Sequence, residues 1–162
     1  MIEIINTGGT FNKRYNPISG ILEVPTDFLA VEDILKKSLY QKEFKITQII
    51  SKDSLEFNKK DRKLLLKTIY NSKSNKIIVI HGTDTMKKSA KFISKFIKNK
   101  VVVFTGAMKP YEIEKIEAIS NLMQGIGFIQ NSKNGVFISM HGIINKWDRV
   151  EKNYNKGIFY EK

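Results

Sequence analysis

Residues 76–97 read KIIVIHGTDTMKKSAKFISKFI, and this stretch joins a strand pattern, a polar loop and a helix pattern. The run KIIVI is short, apolar and rich in β-branched residues, which predicts a strand buried on both faces. After the loop HGTDT, apolar residues recur at the spacing of one helix face, at Met86, Ala90, Ile93 and Ile97. A buried strand followed by an amphipathic helix is the repeating unit of α/β proteins with parallel sheets.

The same unit recurs along the chain, whose 162 residues are enough for one domain, taken as residues 1–162. Strands are predicted at residues 2–5, 44–50, 76–80, 101–104 and 135–140. Helical faces are predicted at residues 65–70, 86–97 and 119–129, with an earlier helix in residues 25–39 that is capped by Thr26 or Asp27. Residues 11–24 show little periodicity and are predicted to form a mobile loop. Right-handed crossovers between these units predict a three-layer, doubly wound, mostly parallel sheet in an α/β fold.

The composition excludes several kinds of site. The chain has no cysteine and only two histidines, His81 and His141, so disulfides, thiolate metal sites and histidine-rich metal sites are not expected. No stretch approaches the ~18 consecutive apolar residues of a membrane span, and the start of the chain does not look like a targeting leader. We therefore expect a cytoplasmic protein with no membrane partner.

The net charge of +12 is a strong compositional feature, and it would suit a partner that carries phosphates. The 28 basic residues include only three arginines, Arg14, Arg62 and Arg149, whereas proteins that read nucleic acids favour the planar arginine side chain. The lysines lie among other polar residues in the helical segments. We therefore favour solvated helix faces over a nucleic-acid interface, with a positive field that attracts anionic ligands.

Polar loops follow each predicted strand, at the edge of a parallel sheet where ligands bind. These loops read NTGGTF at 6–11, SKDSLE at 51–56, HGTDTM at 81–86, TGAMKP at 105–110 and HGIINKWDRVEK at 141–152. Hydroxyls, carboxylates and glycines dominate them, and these groups supply the nucleophile, the base and the backbone donors of an acyl-transfer site.

Each of these residues also has a simpler explanation. Paired glycines after a strand usually form a tight turn, and TGGT lacks the spacing of a dinucleotide-binding or P-loop motif. Thr83 and Asp84 are suited to cap the helix that follows them, and Ser54 is suited to cap the helix that begins near Asn58. Lys152 would ordinarily be a surface residue.

In combination, TGGTF at 7–11, HGTDTM at 81–86 and GAMKP at 106–110 resemble the bacterial-type L-asparaginase and glutaminase-asparaginase family. The two threonine motifs are specific as a pair. The resemblance implies an amidohydrolase that converts L-asparagine, or a related side-chain amide, to aspartate and ammonia. It also implies a threonine nucleophile and an acyl-enzyme, without a cofactor.

The resemblance also implies roles for single residues. Thr10 takes the place of the nucleophile, and Tyr15 that of a loop tyrosine that orients it. Thr83 and Asp84 match a second threonine and the aspartate that binds the substrate amino group, and Lys152 matches a lysine that is hydrogen-bonded to that threonine. The residues implied to contact the substrate or its oxyanion are Gly9, Ser54, Glu56, Gly82 and Ala107.

Departures from the family pattern also shape the expectations. Glu117 and Ala118 stand where the family has Asp-Gly, and Glu56 stands where aspartate is usual. The family's second, smaller domain is expected to be absent, so we expect a homo-oligomer, at least a dimer, in which a partner subunit or residues 153–162 complete the site. The alternative is a catalytically weak remnant that binds an amino acid or a protein partner without turnover.

Overall fold

The predicted strands and helices are present in the computed structural model, which describes residues 1–162. The strands are β1 (Ile2–Gly8), β2 (Arg14–Asn16), β3 (Ile21–Glu23), β4 (Phe44–Lys52), β5 (Lys76–Ile80), β6 (Val101–Thr105), β7 (Gly135–Met140), β8 (Ile143–Lys146), β9 (Val150–Asn153) and β10 (Ile158–Glu161). The helices are α1 (Leu29–Lys37), α2 (Lys59–Asn71), α3 (Met86–Ser94) and α4 (Lys115–Ile129). No helix has the length and apolar character needed to cross a membrane.

The central sheet has six strands in the order β4-β1-β5-β6-β7-β8. All neighbours pair in parallel except β7 and β8, which are antiparallel. The chain first moves from β1 to one neighbour, β4, and then crosses to the other neighbour, β5. The direction of winding therefore reverses beside β1, which opens a crevice beyond the ends of β1 and β5.

The sheet is buried on both faces, which confirms the three-layer α/β prediction. Ile78 and Ile80 pack into a cluster with residues of α1 and α4, such as Val31 and Leu122. Ile77 and Val79 point the other way, into a second cluster with residues of α2 and α3. Because alternate side chains of one strand enter two cores, residues 77–80 of β5 and 101–104 of β6 are all apolar.

Residues 11–24 were predicted to form a mobile loop, and the structure places the short hairpin β2–β3 within them. The turn of the hairpin is closed at Asn16, whose carbonyl accepts from the N–H of Gly20 at 2.8 Å. Gly20 has a φ of 73°, a conformation that suits glycine. Strands of three residues are too short to produce a detectable alternation of apolar and polar side chains.

The predicted cap of the first helix was also wrong. Helix α1 begins at Leu29, with Phe28 rather than Thr26 or Asp27 at the N-cap position. Asp27 lies one residue earlier, where its carboxylate accepts from the N–H of Leu29 at 3.1 Å. The acidic side chain thus satisfies a free donor of the first turn without occupying the cap itself.

Candidate active site

Glycines bring the polar loops into close contact at the carboxyl edge of the sheet. A Cβ atom on Gly9 would lie 2.5 Å from the backbone nitrogen of Gly82, and one on Gly82 would lie 2.7 Å from Oγ of Ser54. A Cβ atom on Gly106 would lie 2.3 Å from the carbonyl oxygen of His81. No larger residue fits at these positions unless the backbone moves. The loops that follow β1, β4, β5 and β6 therefore meet at one place.

The TGGT loop is held by buried side-chain amides. Asn6 and Asn12 each donate to the other's amide oxygen at 2.9 Å, and Asn12 also donates to the carbonyl of Gly8 at 2.8 Å. Thr7 donates its hydroxyl to the carbonyl of Ile80 at 2.7 Å, which ties the loop to β5. Thr10 follows as the first residue of a short 3-10 helix and is partly exposed. These hydrogen bonds hold the loop up to Thr10, the residue expected to act as nucleophile.

Lys152 lies between Thr83 and Asp84. Its ammonium donates to Oγ1 of Thr83 at 2.9 Å and to Oδ1 of Asp84 at 2.6 Å. Only 7% of the lysine side chain is exposed, compared with 33% for the aspartate. The ring of Tyr154 lies 5.0 Å from the ammonium, and its hydroxyl donates to the carbonyl of Asp84 at 2.9 Å. A positive charge is thus fixed beside a buried hydroxyl, where it can stabilise negative charge on oxygen or exchange a proton.

The hairpin β9–β10, which carries Lys152, is anchored by His141. Phe159 lies opposite Lys152 in the hairpin, and its N–H donates to Nδ1 of His141 at 3.1 Å. Nδ1 is therefore an acceptor, and the ring proton lies on Nε2, which donates to Oε1 of Glu117 at 2.8 Å. The sequence pattern marks Glu117 only as a departure from the family, and it gives no sign of a role for His141.

The same carboxylate holds the GAMKP loop. Glu117 accepts from the N–H of Met108 at 2.7 Å and from the N–H of Lys109 at 3.1 Å. The sulfur of Met108 in turn accepts from the hydroxyl of Thr83 at 3.3 Å. Glu117 therefore binds both His141, which anchors the hairpin of Lys152, and Met108, which contacts Thr83. One side chain thus helps to position Lys152 and Thr83.

Ser54 is fully buried at the junction of two loops. Its Oγ accepts from the N–H of Thr85 at 3.2 Å, and its carbonyl accepts from the hydroxyl of Thr85 at 2.7 Å. Ser54 does not cap α2, because Asn58 occupies the N-cap and forms a capping box with Asp61. The cap alternative for Thr83 and Asp84 is likewise wrong, since Thr85 is the N-cap residue of α3 and its side chain makes no cap bond.

Three further residues implied by the resemblance are not hydrogen-bonded to the Thr83–Lys152 pair. Tyr15 is 57% exposed on β2, where its backbone N–H donates to Glu112 at 2.7 Å. Glu56 is exposed, and Ala107 is buried beside Met108. No hydrogen bond joins the side chain of Thr10 to this pair either, although the backbones of the TGGT and HGTDT loops approach closely at Gly9 and Gly82.

Two titratable side chains beneath these loops have shifted pKa values. Burial, partly opposed by a hydrogen bond to the carbonyl of Gly82, lowers the pKa of His81 to about 4. Burial raises the pKa of Asp53, but hydrogen bonds from Lys13 and from the N–H of Leu55 outweigh that effect and leave it below the usual range. The imidazole of His81 beneath the loops is therefore neutral near pH 7. The ion pair of Lys13 with Asp53 joins the segment after the TGGT loop to the SKDSLE loop.

Comparison with known proteins gives a consistent family match. Residues 1–158 match the family model described as Asparaginase, N-terminal. The chain is similar to a glutamyl-tRNA(Gln) amidotransferase subunit of Nanoarchaeum equitans, with 30% identity over 146 residues that cover 87% of this chain and 36% of the relative. The corresponding protein of Haloquadratum walsbyi is 24% identical over 165 residues, which cover 94% of this chain and 37% of the relative.

Solved structures share the fold. The thermostable L-asparaginase of Thermococcus kodakarensis superimposes with a TM-score of 0.82 at 23% identity, over 99% of this chain and 50% of that chain. L-asparaginase I of Vibrio cholerae gives a TM-score of 0.83 at 21% identity, with the same coverage of both chains. The present chain thus spans about half the length of these structures and just over a third of the two curated relatives.

Proposed function

This chain belongs to the asparaginase family, and we propose on that basis that it is an amidohydrolase that releases ammonia from the side-chain amide of L-asparagine or a closely related amino-acid amide. One observation carries the proposal: the ammonium of Lys152 is held on Thr83 and Asp84 by hydrogen bonds of 2.9 and 2.6 Å. A buried cation on a threonine hydroxyl has no evident use in a binding module, whereas acyl transfer needs such a group.

In the proposed reaction, Thr10 is the nucleophile. Its oxygen forms a bond to the carbonyl carbon of the side-chain amide. Lys152 gives one of its ammonium protons to the amide nitrogen, and the proton of Thr10 passes through Thr83 to restore the ammonium. The carbon–nitrogen bond then breaks, which releases ammonia and leaves an ester on Thr10. Water cleaves the ester to aspartate, and the proton that it loses restores the threonine hydroxyl.

Substrate binding is assigned to the groups around this nucleophile. The backbone N–H of Thr83, which makes no hydrogen bond within the fold, would stabilise the negative charge on the carbonyl oxygen. The N–H of Gly9, the other expected donor, instead donates to the carbonyl of Lys52 at 2.9 Å. The carboxylate of Asp84 would bind the substrate amino group with the oxygen that Lys152 does not occupy. Ser54 would donate its hydroxyl proton to the substrate carboxylate, and Tyr15 would approach when the β2–β3 hairpin closes over the substrate.

A second function is favoured by the two curated relatives compared above, which are named as subunits of a glutamyl-tRNA(Gln) amidotransferase. In that case the same residues would perform the same hydrolysis, but the ammonia would be used by a partner protein. The identity of 30% to one of these relatives exceeds the 21–23% to the two asparaginase structures. Ammonia release by the isolated chain would then be slow, and it would rise when the partner is present.

We also propose that the chain acts as a homo-oligomer. Large apolar side chains are exposed at Leu55, beside the SKDSLE loop, and at Ile113 and Ile116, just after the GAMKP loop. Burial of such residues between subunits would remove apolar surface from water. Light scattering on the active protein tests this proposal, and a monomer with full activity would refute it.

The test of the catalytic proposal is ammonia release from L-asparagine, L-glutamine, D-asparagine and β-aspartyl hydroxamate. Thr10→Ala and Lys152→Met are each expected to reduce turnover by about 10²-fold or more, because each removes a group that acts in the transition state. Lys156→Ala is the matched control, since this lysine lies in the same hairpin and is exposed.

Each outcome has a defined meaning. Mass spectrometry of a slowly hydrolysed substrate should find the acyl group on the peptide that contains Thr10, and an acyl group on Thr83 would reverse the assigned roles. Folded wild-type protein that releases no ammonia from any substrate would refute the hydrolase and support the binding remnant without turnover.

A further inference from the structure

Almost all of the net positive charge lies in one segment of the chain. Residues 58–100 contain 13 of the 28 Lys and Arg residues but only 2 of the 16 Asp and Glu residues. The rest of the chain is close to neutral, with 15 basic and 14 acidic residues. The segment includes α2 and α3, which pack on the same side of the sheet. Ten of these 13 basic residues lie on α2, on α3 or just after α3, so the fold collects them on one side of the sheet.

The centre of this face is a groove between α2 and α3 with a volume of about 530 Å³. It is lined by Phe57, Asn58, Lys59, Arg62, Lys88, Lys91, Phe92 and Lys95. The four lysines are exposed, and none of them pairs with a carboxylate. Lys87 differs in this respect, because it forms an ion pair with Glu151. The groove thus gathers positive charge without internal neutralisation.

Arg62 adds a buried charge to the groove. It is only 6% exposed, and its guanidinium donates to neutral acceptors, which are Oγ of Ser89, Oγ1 of Thr85 and the carbonyls of Phe57 and Asn58, at 3.0 to 3.2 Å. The neighbouring carboxylate of Asp61 instead pairs with Lys52 at 2.9 Å. A buried cation without a paired anion is costly, so an anionic ligand at this groove would be stabilised.

We propose that the groove between α2 and α3 binds the phosphate backbone of single-stranded nucleic acid. The basic surface continues beyond the groove, through Lys60, Lys63 and Lys67 on α2 and Lys98 after α3, all of them exposed. Its extent suits a ligand with several phosphates in a row better than one small anion. Lysines contact phosphates as point charges, and the scarcity of arginine predicts binding without base-specific readout.

Aromatic side chains distinguish this ligand from an acidic polypeptide. Phe92 lines the groove, and the ring of Phe96, which is 56% exposed, lies 5.3 Å from it. Exposed aromatic rings beside a basic track allow unpaired bases to stack, and they offer nothing comparable to glutamate or aspartate side chains. A duplex, whose bases are already stacked, would gain less from these rings. The observations therefore favour unpaired nucleic acid, in either RNA or DNA.

The test measures the fluorescence anisotropy of labelled oligouridylate and oligothymidylate over a range of salt concentrations. Each lost phosphate contact should reduce the dependence of log affinity on log salt by about 0.7. Lys88→Gln with Lys91→Gln should therefore lower the slope by about 1.4 and weaken binding roughly tenfold at physiological salt. Lys36→Gln with Lys133→Gln removes the same charge from exposed positions outside the groove and should change neither.

A second variant tests stacking independently of charge. Phe96→Ala should weaken binding about fivefold without changing the salt slope, because it removes a ring and no charge. Since Phe96 is mostly exposed, the fold should not depend on it.

Four results would overturn the proposal. The first is the absence of binding. The second is an equal loss of affinity in the Lys88/Lys91 and Lys36/Lys133 double variants, which would show a diffuse effect of net charge. The third is tighter binding of polyglutamate than of the oligonucleotides, which would show a protein partner, and the fourth is competition by free ATP at the affinity of the oligonucleotides, which would show a small nucleotide site. None of these results depends on whether the chain hydrolyses amides.

Discussion

Protonation of His81 is expected to destabilise the fold as the pH falls below neutral. The imidazole is fully buried between Phe57 and Phe104, and its Nδ1–H donates to the carbonyl of Gly82 at 2.8 Å. Burial is the main cause that lowers the pKa of His81 from 6.5 to about 4, and the nearby charge of Arg62 acts in the same direction. The hydrogen bond to Gly82 acts in the opposite direction but is weaker. The folded protein therefore keeps the ring neutral where the unfolded chain takes up a proton.

The size and sign of the effect follow from proton linkage. One pKa unit corresponds to about 1.4 kcal/mol, so a change from 6.5 to about 4 corresponds to about 3 kcal/mol of unfolding free energy. The unfolded state binds the proton first, so the free energy of unfolding rises with pH. This contribution is fully present above pH 6.5, decreases as the pH falls towards 4, and is lost below the pKa of the folded protein.

Urea unfolding of the wild type and of His81→Asn, from about pH 7 to about pH 4, measures this contribution. Asparagine can still donate to the carbonyl of Gly82 but does not titrate. Carboxylates with lowered pKa values, such as Asp53 and Asp61, titrate in both proteins and cancel in the difference. The wild type should lose about 3 kcal/mol more than the variant over this range. Two parallel curves would show that His81 does not resist protonation, and the reasoning from its burial would be wrong.

Two further changes test the contacts that build the site. Gly9→Ala should destabilise the protein by at least about 1–2 kcal/mol, because φ is 76° and the new Cβ would lie 2.5 Å from the nitrogen of Gly82. Gly127→Ala in α4 meets nothing within 4 Å and should stabilise the protein by up to about 1 kcal/mol, so an equal loss in both variants would contradict this argument. Glu117→Leu should cost about 1–3 kcal/mol, because it leaves the N–H of Met108 unpaired. The urea midpoint measures each change, and ammonia release should fall in Gly9→Ala and Glu117→Leu but not in Gly127→Ala.

Much of the fold can be predicted from the sequence because the pattern of the central strands is local. Residues 77–80 are apolar throughout since the strand is covered on both faces, and residues 101–104 and 136–138 follow the same rule. The hairpins were missed for the opposite reason. In β2–β3 and β9–β10 the strands are three or four residues long, and their pairing depends on turns rather than on an apolar pattern.

The sequence by itself determined which loops lie together, because parallel strands place their carboxyl ends at one edge of the sheet. Only the tertiary structure decided which side chains in those loops touch. The bond from Lys152 to Thr83 spans 69 positions, and it depends on a hairpin that is anchored through His141 and Glu117. The basic face on α2 and α3 could not be predicted from the sequence for the same reason. Its charged residues become neighbours only after two crossovers place both helices on one side of the sheet. Local patterns specify elements and their edges, whereas contacts between distant residues depend on how those elements pack.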